Sequence, residues 1–191
     1  MSSARETSSL PLPDFVKWSI FPFEGELRVR RPKPLYPTDR PRSGEPGGGP
    51  CHACAATDDE YIWADQHWRV SATKPSGVPV QVFLETREHL DMDDLDDELA
   101  GGLGRMIVRL DRAIQAVGGI GRVHVARWGD GGSHFHMWLY GRPRGAGQML
   151  GFCLPMWAQI LPPTPEDVWQ ANMAVVAAEL AKVSGTAIVR P

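Results

Sequence analysis

Apolar side chains recur at Leu95, Leu99, Leu103, Met106, Ile107, Leu110, Ile114 and Val117, a helical period that a strand cannot satisfy. Asp93 is placed to cap the start of this helix, and Gly118 and Gly119 to stop it. Pairs of strand-like segments lie on either side. Ahead of it, "EYIWADQHWRVSA" and "VPVQVFLETREH" are separated by the turn-forming "TKPSG"; after it, "RVHVARWG" and "HFHMWLYG" are joined by "DGGS", whose glycines permit a tight hairpin turn. A helix inserted between two neighbouring strand pairs predicts an α+β protein with an antiparallel sheet and argues against a doubly wound parallel one. Gly101, Gly102 and Gly104 weaken the helix by up to ~1 kcal/mol each relative to alanine, which predicts close packing there.

The 191 residues, 42% hydrophobic and 23% charged, suit one domain with extensions. Residues 1–50 read as a basic extension rich in proline and glycine, residues 51–145 as the core domain, and residues 146–191 as a C-terminal loop and helix packed on it. In the extension one short strand is expected near Leu27 to Arg30. Arg28, Arg30, Arg31, Lys33, Arg40 and Arg42 fit a solvated arm better than a phosphate site. In the tail, "QMLGFCLPMWAQI" predicts a loop or short helix. Thr164 then caps a helix with Pro165 at its first position and Trp169, Met173, Val176, Leu180 and Val183 as its buried stripe.

A formal net charge of −3 provides no global field for a polyanion, so neither nucleic acid nor a membrane surface is an expected partner. The N-terminus lacks a signal-like apolar run, and the most apolar later stretch is broken by Pro155, so a cytoplasmic protein is expected. Three cysteines cannot form a disulfide framework for a chain of this size. For Cys51 and Cys54 in "CHAC" that leaves redox chemistry or metal binding. Redox pairs usually place the first cysteine at a helix N-terminus, and nothing after Cys54 suggests such a helix; zinc fits better if two further ligands exist.

His52, His67 and His124 read as ordinary surface or core-edge histidines. His89 ends a strand. In an extended "HFHMW", His134, His136 and Trp138 project from one face at ~7 Å intervals. Burying two neighbouring imidazoles costs several kcal/mol unless they are partnered, which favours a functional role. Both could chelate one metal with the cysteines, leaving His89 free, or they could divide the labour; the pattern does not choose.

The order "CHAC", "ETREH", long helix, "SHFHMWLYGRP" resembles the histidine triad superfamily over residues 50 to 145, closest to its zinc-bearing members and the related galactose-1-phosphate uridylyltransferases. The resemblance implies an antiparallel half-barrel with one inserted helix and a C-terminal helix. It also implies a structural zinc ion on Cys51, Cys54, His89 and His134, and His136 as a nucleophile toward a nucleotide α-phosphate. The enzyme so implied is a nucleotidyl hydrolase or transferase working on a nucleotide or nucleotide conjugate, and a homodimer.

Trp138 stands where the superfamily has a third histidine or a glutamine, and its indole can only donate a hydrogen bond. The loop before the strand is short, leaving Arg127, Asp130 and Ser133 near the phosphate. Arg142 and Arg144 could serve as phosphate clamps through their forked guanidinium groups. Trp138, Arg127, Ser133, Arg142 and Arg144 are therefore the expected substrate-binding set. The same departures support a second expectation, a zinc-binding module that binds a nucleotide or other ligand without chemistry.

Overall fold

The computed structural model describes residues 10–189. Six strands form one open antiparallel sheet: β1 (Trp63–Ala64), β2 (Trp68–Ala72), β3 (Val80–Thr86), β4 (Ile120–Ala126), β5 (His136–Pro143) and β6 (Thr186–Ala187). Their order is β4-β5-β3-β2-β1-β6. The helices are α1 (His52–Ala55), α2 (Asp97–Ala116), α3 (Leu154–Ile160) and α4 (Glu166–Ala181). The α+β class and antiparallel sheet expected from the sequence are those observed.

Strand alternation divides the sheet into two unlike faces. Val70, Val82, Leu84, Met137 and Leu139 point into the main core, where Leu103, Met106, Leu110 and Ile114 of α2 and Met173, Val176 and Leu180 of α4 cover them. The other face carries Ser71, Phe83, Glu85, His136 and Trp138, all partly exposed. Toward one end of that face, α3 seals a smaller cluster of Val78, Tyr140, Met149, Leu154 and Ala158. His136 and Trp138, two of the site residues expected from the sequence, therefore lie on the face that the long helices leave open.

Several local expectations are corrected. Helix α2 begins at Asp97 with Asp96 as its cap, accepting from the Leu99 N–H at 2.8 Å, because Met92–Asp94 forms a separate 3₁₀ turn capped by Asp91. Of its glycines, Gly102 alone meets the sheet: a Cβ there would lie 3.3 Å from Trp68 Nε1, whereas at Gly104 it would meet open space. Strands β4 and β5 do pair, with Ala126 opposite Trp138, but residues 127–135 form a long connection in place of a tight turn. No strand forms near Leu27. Thr164 does not cap α4; its hydroxyl donates to the Ser76 and Val78 carbonyls while Pro165 takes the cap position. Val183, past the end of α4, is exposed. Strand β6 carried no recognisable pattern because only two residues pair. Among the described residues no helix is long and apolar enough to cross a membrane.

Candidate functional site

Cys51, Cys54, His89 and His134 converge at one end of the sheet, their donor atoms all within 4.8 Å of one another. Cys51 caps the single turn of α1 and Cys54 lies within that turn; a helix of one turn lacks the aligned dipoles of a redox site. His89 follows β3, and His134 stands just before β5. Cys51 Sγ lies 3.5 Å and Cys54 Sγ 3.6 Å from His134 Nδ1, and Cys54 Sγ lies 3.1 Å from His89 Nδ1. A tetrahedral zinc with sulfur at about 2.3 Å and nitrogen at about 2.0 Å separates its donors by about 3.3–3.8 Å, and the sulfur–nitrogen distances of 3.1, 3.5 and 3.6 Å lie close to that range. His136 is not in the group, which removes the arrangement in which both strand histidines chelate.

The surrounding hydrogen bonds prepare each imidazole as a ligand. His134 is buried, and its Nε2 lies 2.8 Å from the Thr86 carbonyl. A carbonyl only accepts, so Nε2 carries the proton and Nδ1 presents its lone pair to the thiols. Burial also holds the His134 pKa below its ordinary value, opposed by that hydrogen bond, so the neutral ligand form is favoured. The Ser133 hydroxyl donates to the Ser43 carbonyl at 3.1 Å and lies 3.3 Å from His89 Nε2, which leaves it to accept from His89 and frees that ring's Nδ1. Without a cation the Cys54 thiol opposes ionisation: it is pushed up to about 11 by desolvation, by its hydrogen bond to Cys51 and by the Cys51 charge. A dication reverses that penalty.

Ser43 belongs to the N-terminal extension, whose residues 42–45 are packed against the centre. The Ser43 N–H donates to Gly131 O at 3.1 Å, and Ser43 O accepts from the Ser133 N–H at 3.0 Å. Arg42 pairs with Glu45 and Asp91, each at 2.6 Å, and donates to Gly129 O at 3.0 Å. Reading Arg42 as part of a solvated arm is thus corrected. Arg127 also pairs with Asp91.

His136 opens β5 on the partly exposed face. Its Nδ1 lies 2.9 Å from the His134 carbonyl, so in the neutral ring the proton sits on Nδ1 and the Nε2 lone pair is free. Phe83 packs edge-on to it at 5.9 Å between ring centres. Trp138 lies 4.1 Å from Phe83 and stacks on Tyr140 at 5.7 Å with planes 6° apart, and Trp128 meets both.

Of the remaining expected substrate residues, two are engaged by other side chains and two lie toward the far end of β5. Ser133 Oγ lies 3.3 Å from His89 Nε2 and Arg127 is paired with Asp91. Arg142, six residues along β5 and hence ~20 Å from His136, donates to Ala146 O at 2.9 Å, and Arg144 is exposed beyond the strand end. Glu85, directly opposite His136 in the β3–β5 register, was missed by sequence reasoning. A single acidic residue within a strand gives no signal until the register is known.

An open antiparallel sheet backed by one long inserted helix, with a Cys₂His₂ cluster at its end and a histidine two residues past one ligand, defines the class. No family model matches the chain, and neither does any curated protein. Among solved structures, it is similar to a histidine triad protein from Bradyrhizobium japonicum at 17% identity and TM-score 0.52, covering 63% of this chain and 89% of that one. A histidine triad protein from Marinobacter aquaeolei VT8 gives 18% identity and TM-score 0.51, covering 65% of this chain and 90% of that one. A hypothetical histidine triad nucleotide-binding protein from Sulfolobus tokodaii gives 9% identity and TM-score 0.52, covering 70% and 93% respectively. The fold is therefore that of histidine triad proteins.

Proposed function

We propose that the protein is a nucleotidyl hydrolase or transferase, stabilised by a structural zinc ion, that acts at a nucleotide α-phosphate through a covalent nucleotidyl-His136 intermediate. The observation that carries this reading is the His136 Nδ1 contact to the His134 carbonyl at 2.9 Å, which leaves Nε2 as the attacking atom. Cys51, Cys54, His89 and His134 would hold zinc as a closed set, and zinc would supply a rigid crosslink there. That crosslink stiffens the chain two residues before His136 and so fixes its aim.

The substrate class is a nucleotide or nucleotide conjugate, in keeping with the fold neighbour named as nucleotide-binding. Trp138, flanked by Phe83, Trp128 and Tyr140, offers an aromatic surface on which a base or sugar can stack. Incubation with a nucleoside phosphoramidate or a nucleotide sugar should yield an acid-labile adduct on His136, located by mass spectrometry and absent in His136→Ala. No adduct and no turnover across a broad nucleotide panel would overturn the reading.

One observation favours a second function, ligand binding without chemistry: Trp138 is built into an aromatic cluster at the position where the resemblance expects a third proton-carrying or amide group. A ligand that raises the melting temperature with concentration yet is never turned over would support it.

A further inference from the structure

We propose that Glu85 is the proton-transfer residue of the reaction at His136, a role that rests on the nucleotidyl-histidine reading above. The β3–β5 register sets Glu85 directly opposite His136, and cross-strand partners on one face have Cβ atoms about 4.5–5.5 Å apart. The two side chains leave the sheet on the same partly exposed face as Phe83 and Trp138. Trp138 cannot take part in proton transfer, since an indole N–H is a donor without usable acidity. Glu85 is the carboxyl group that the strand register sets beside the nucleophile.

The carboxyl group is held in place and kept partly dry. Ser71 Oγ donates to Glu85 Oε1 at 3.4 Å, and the Tyr61 hydroxyl faces the same carboxyl group. The charged and titratable groups around it are Tyr61, Arg69 of β2 and His136 of β5, with His52 and Glu60 on the rim of an adjoining cavity. Burial raises the Glu85 pKa, opposed by Tyr61, His136, Ser71 and Arg69. A carboxyl so raised can hold a proton nearer neutral pH than an exposed one. Tyr61 is pushed up to about 12, mainly by burial, so it stays a hydroxyl and positions the carboxyl without competing for the proton. A cavity of about 300 Å³, lined by His52, Ala55, Glu60, Tyr61, Ser71 and Glu85, opens the carboxyl to water.

The chemistry balances in two steps. His136 Nε2 bonds to the α-phosphorus as the bond from phosphorus to the leaving oxygen breaks, and that oxygen takes the Glu85 proton. Water then attacks phosphorus and gives a proton to the Glu85 carboxylate as the Nε2–P bond breaks, restoring neutral His136 and protonated Glu85.

The test compares wild type, Glu85→Gln and Glu85→Asp on the p-nitrophenyl and ethyl esters of adenosine and uridine 5′-monophosphates. The p-nitrophenolate leaves without a proton; ethoxide does not. Glu85→Gln should lose ethyl-ester turnover by about 100-fold or more while forming the His136 adduct from the p-nitrophenyl ester within a few-fold of wild type. That adduct should persist, because its hydrolysis lacks a base, and Glu85→Asp should be intermediate. Equal loss on both esters, no loss on either, or an adduct that decays at the wild-type rate would overturn the Glu85 role alone. A wild-type protein that labels with no ester would overturn the nucleotidyl-histidine reading and this one together. Melting temperature and metal content establish that each variant is folded, and Glu85→Asp carries the test should the glutamine variant not fold.

Discussion

Gly44 lies against the His89 ring so closely that a Cβ at this position would sit 2.6 Å from His89 Cε1 and 2.7 Å from Ser133 Oγ. Its φ of +94° also lies where side chains are strained, by roughly 1–2 kcal/mol. Gly44→Ala should therefore loosen residues 42–45 from the centre, lowering both metal affinity and melting temperature. Metal titration of the purified variant, alongside Gly25→Ala as a control for positive φ in open space, checks this.

Metal content separates the proposed zinc ligands from the proposed nucleophile. Cys54→Ser and His89→Ala should bind little or no zinc, whereas His136→Ala should retain it at the wild-type ratio. Ser133→Ala, which removes the acceptor for His89 Nε2, should weaken zinc by about 10-fold or more and leave the fold intact. Zinc retained in His89→Ala and lost in His136→Ala would reverse the assignment.

Chelation of the zinc-loaded protein should unfold the metal end of the sheet before the core of α2 and α4. Structural zinc binding is folding free energy for the segments it joins, and here those are α1, the end of β3 and the residues before β5. Hydrogen exchange should show faster exchange at Cys54, Phe135 and the 127–135 connection, with Leu110 and Leu139 unchanged.

The core should respond by cavity formation. Leu110 is fully buried between α2 and the sheet, so Leu110→Ala should cost about 2–5 kcal/mol in denaturant unfolding. Val108, exposed on the same helix, should tolerate alanine with little change.

Acid should weaken one surface pairing in a defined direction. Arg87 grips Asp58 through two hydrogen bonds of 2.9 Å and holds its pKa below the usual carboxylate value. A depressed carboxylate stabilises the fold fully above its unfolded pKa of about 3.9 and loses that contribution as pH falls through the lower folded value. Half-exposed, the pair contributes no more than about 1 kcal/mol. Asp58→Asn should lower the urea midpoint slightly at pH 7 and erase the difference from wild type near pH 2.

The sequence by itself determined the α+β class and the main core. The 3.6-residue and two-residue periods belong to local geometry, and an apolar stripe can be buried in few ways. Leu103, Met106, Leu110 and Ile114 were legible on that basis, as were Met137 and Leu139 behind the histidines. Cys51, Cys54, His89 and His134 could be nominated as ligands through spacing and resemblance, and the fold brings their donor atoms together. Tertiary structure decided what depends on register and on distant backbone. It places Glu85 opposite His136, turns Ser133 toward the metal ligands, carries Arg142 to the far end of β5, and folds Ser43 and Gly44 of the extension against His89. Each of those placements pairs residues far apart in the chain, and a local period carries no information about which distant strand or loop will satisfy a given donor.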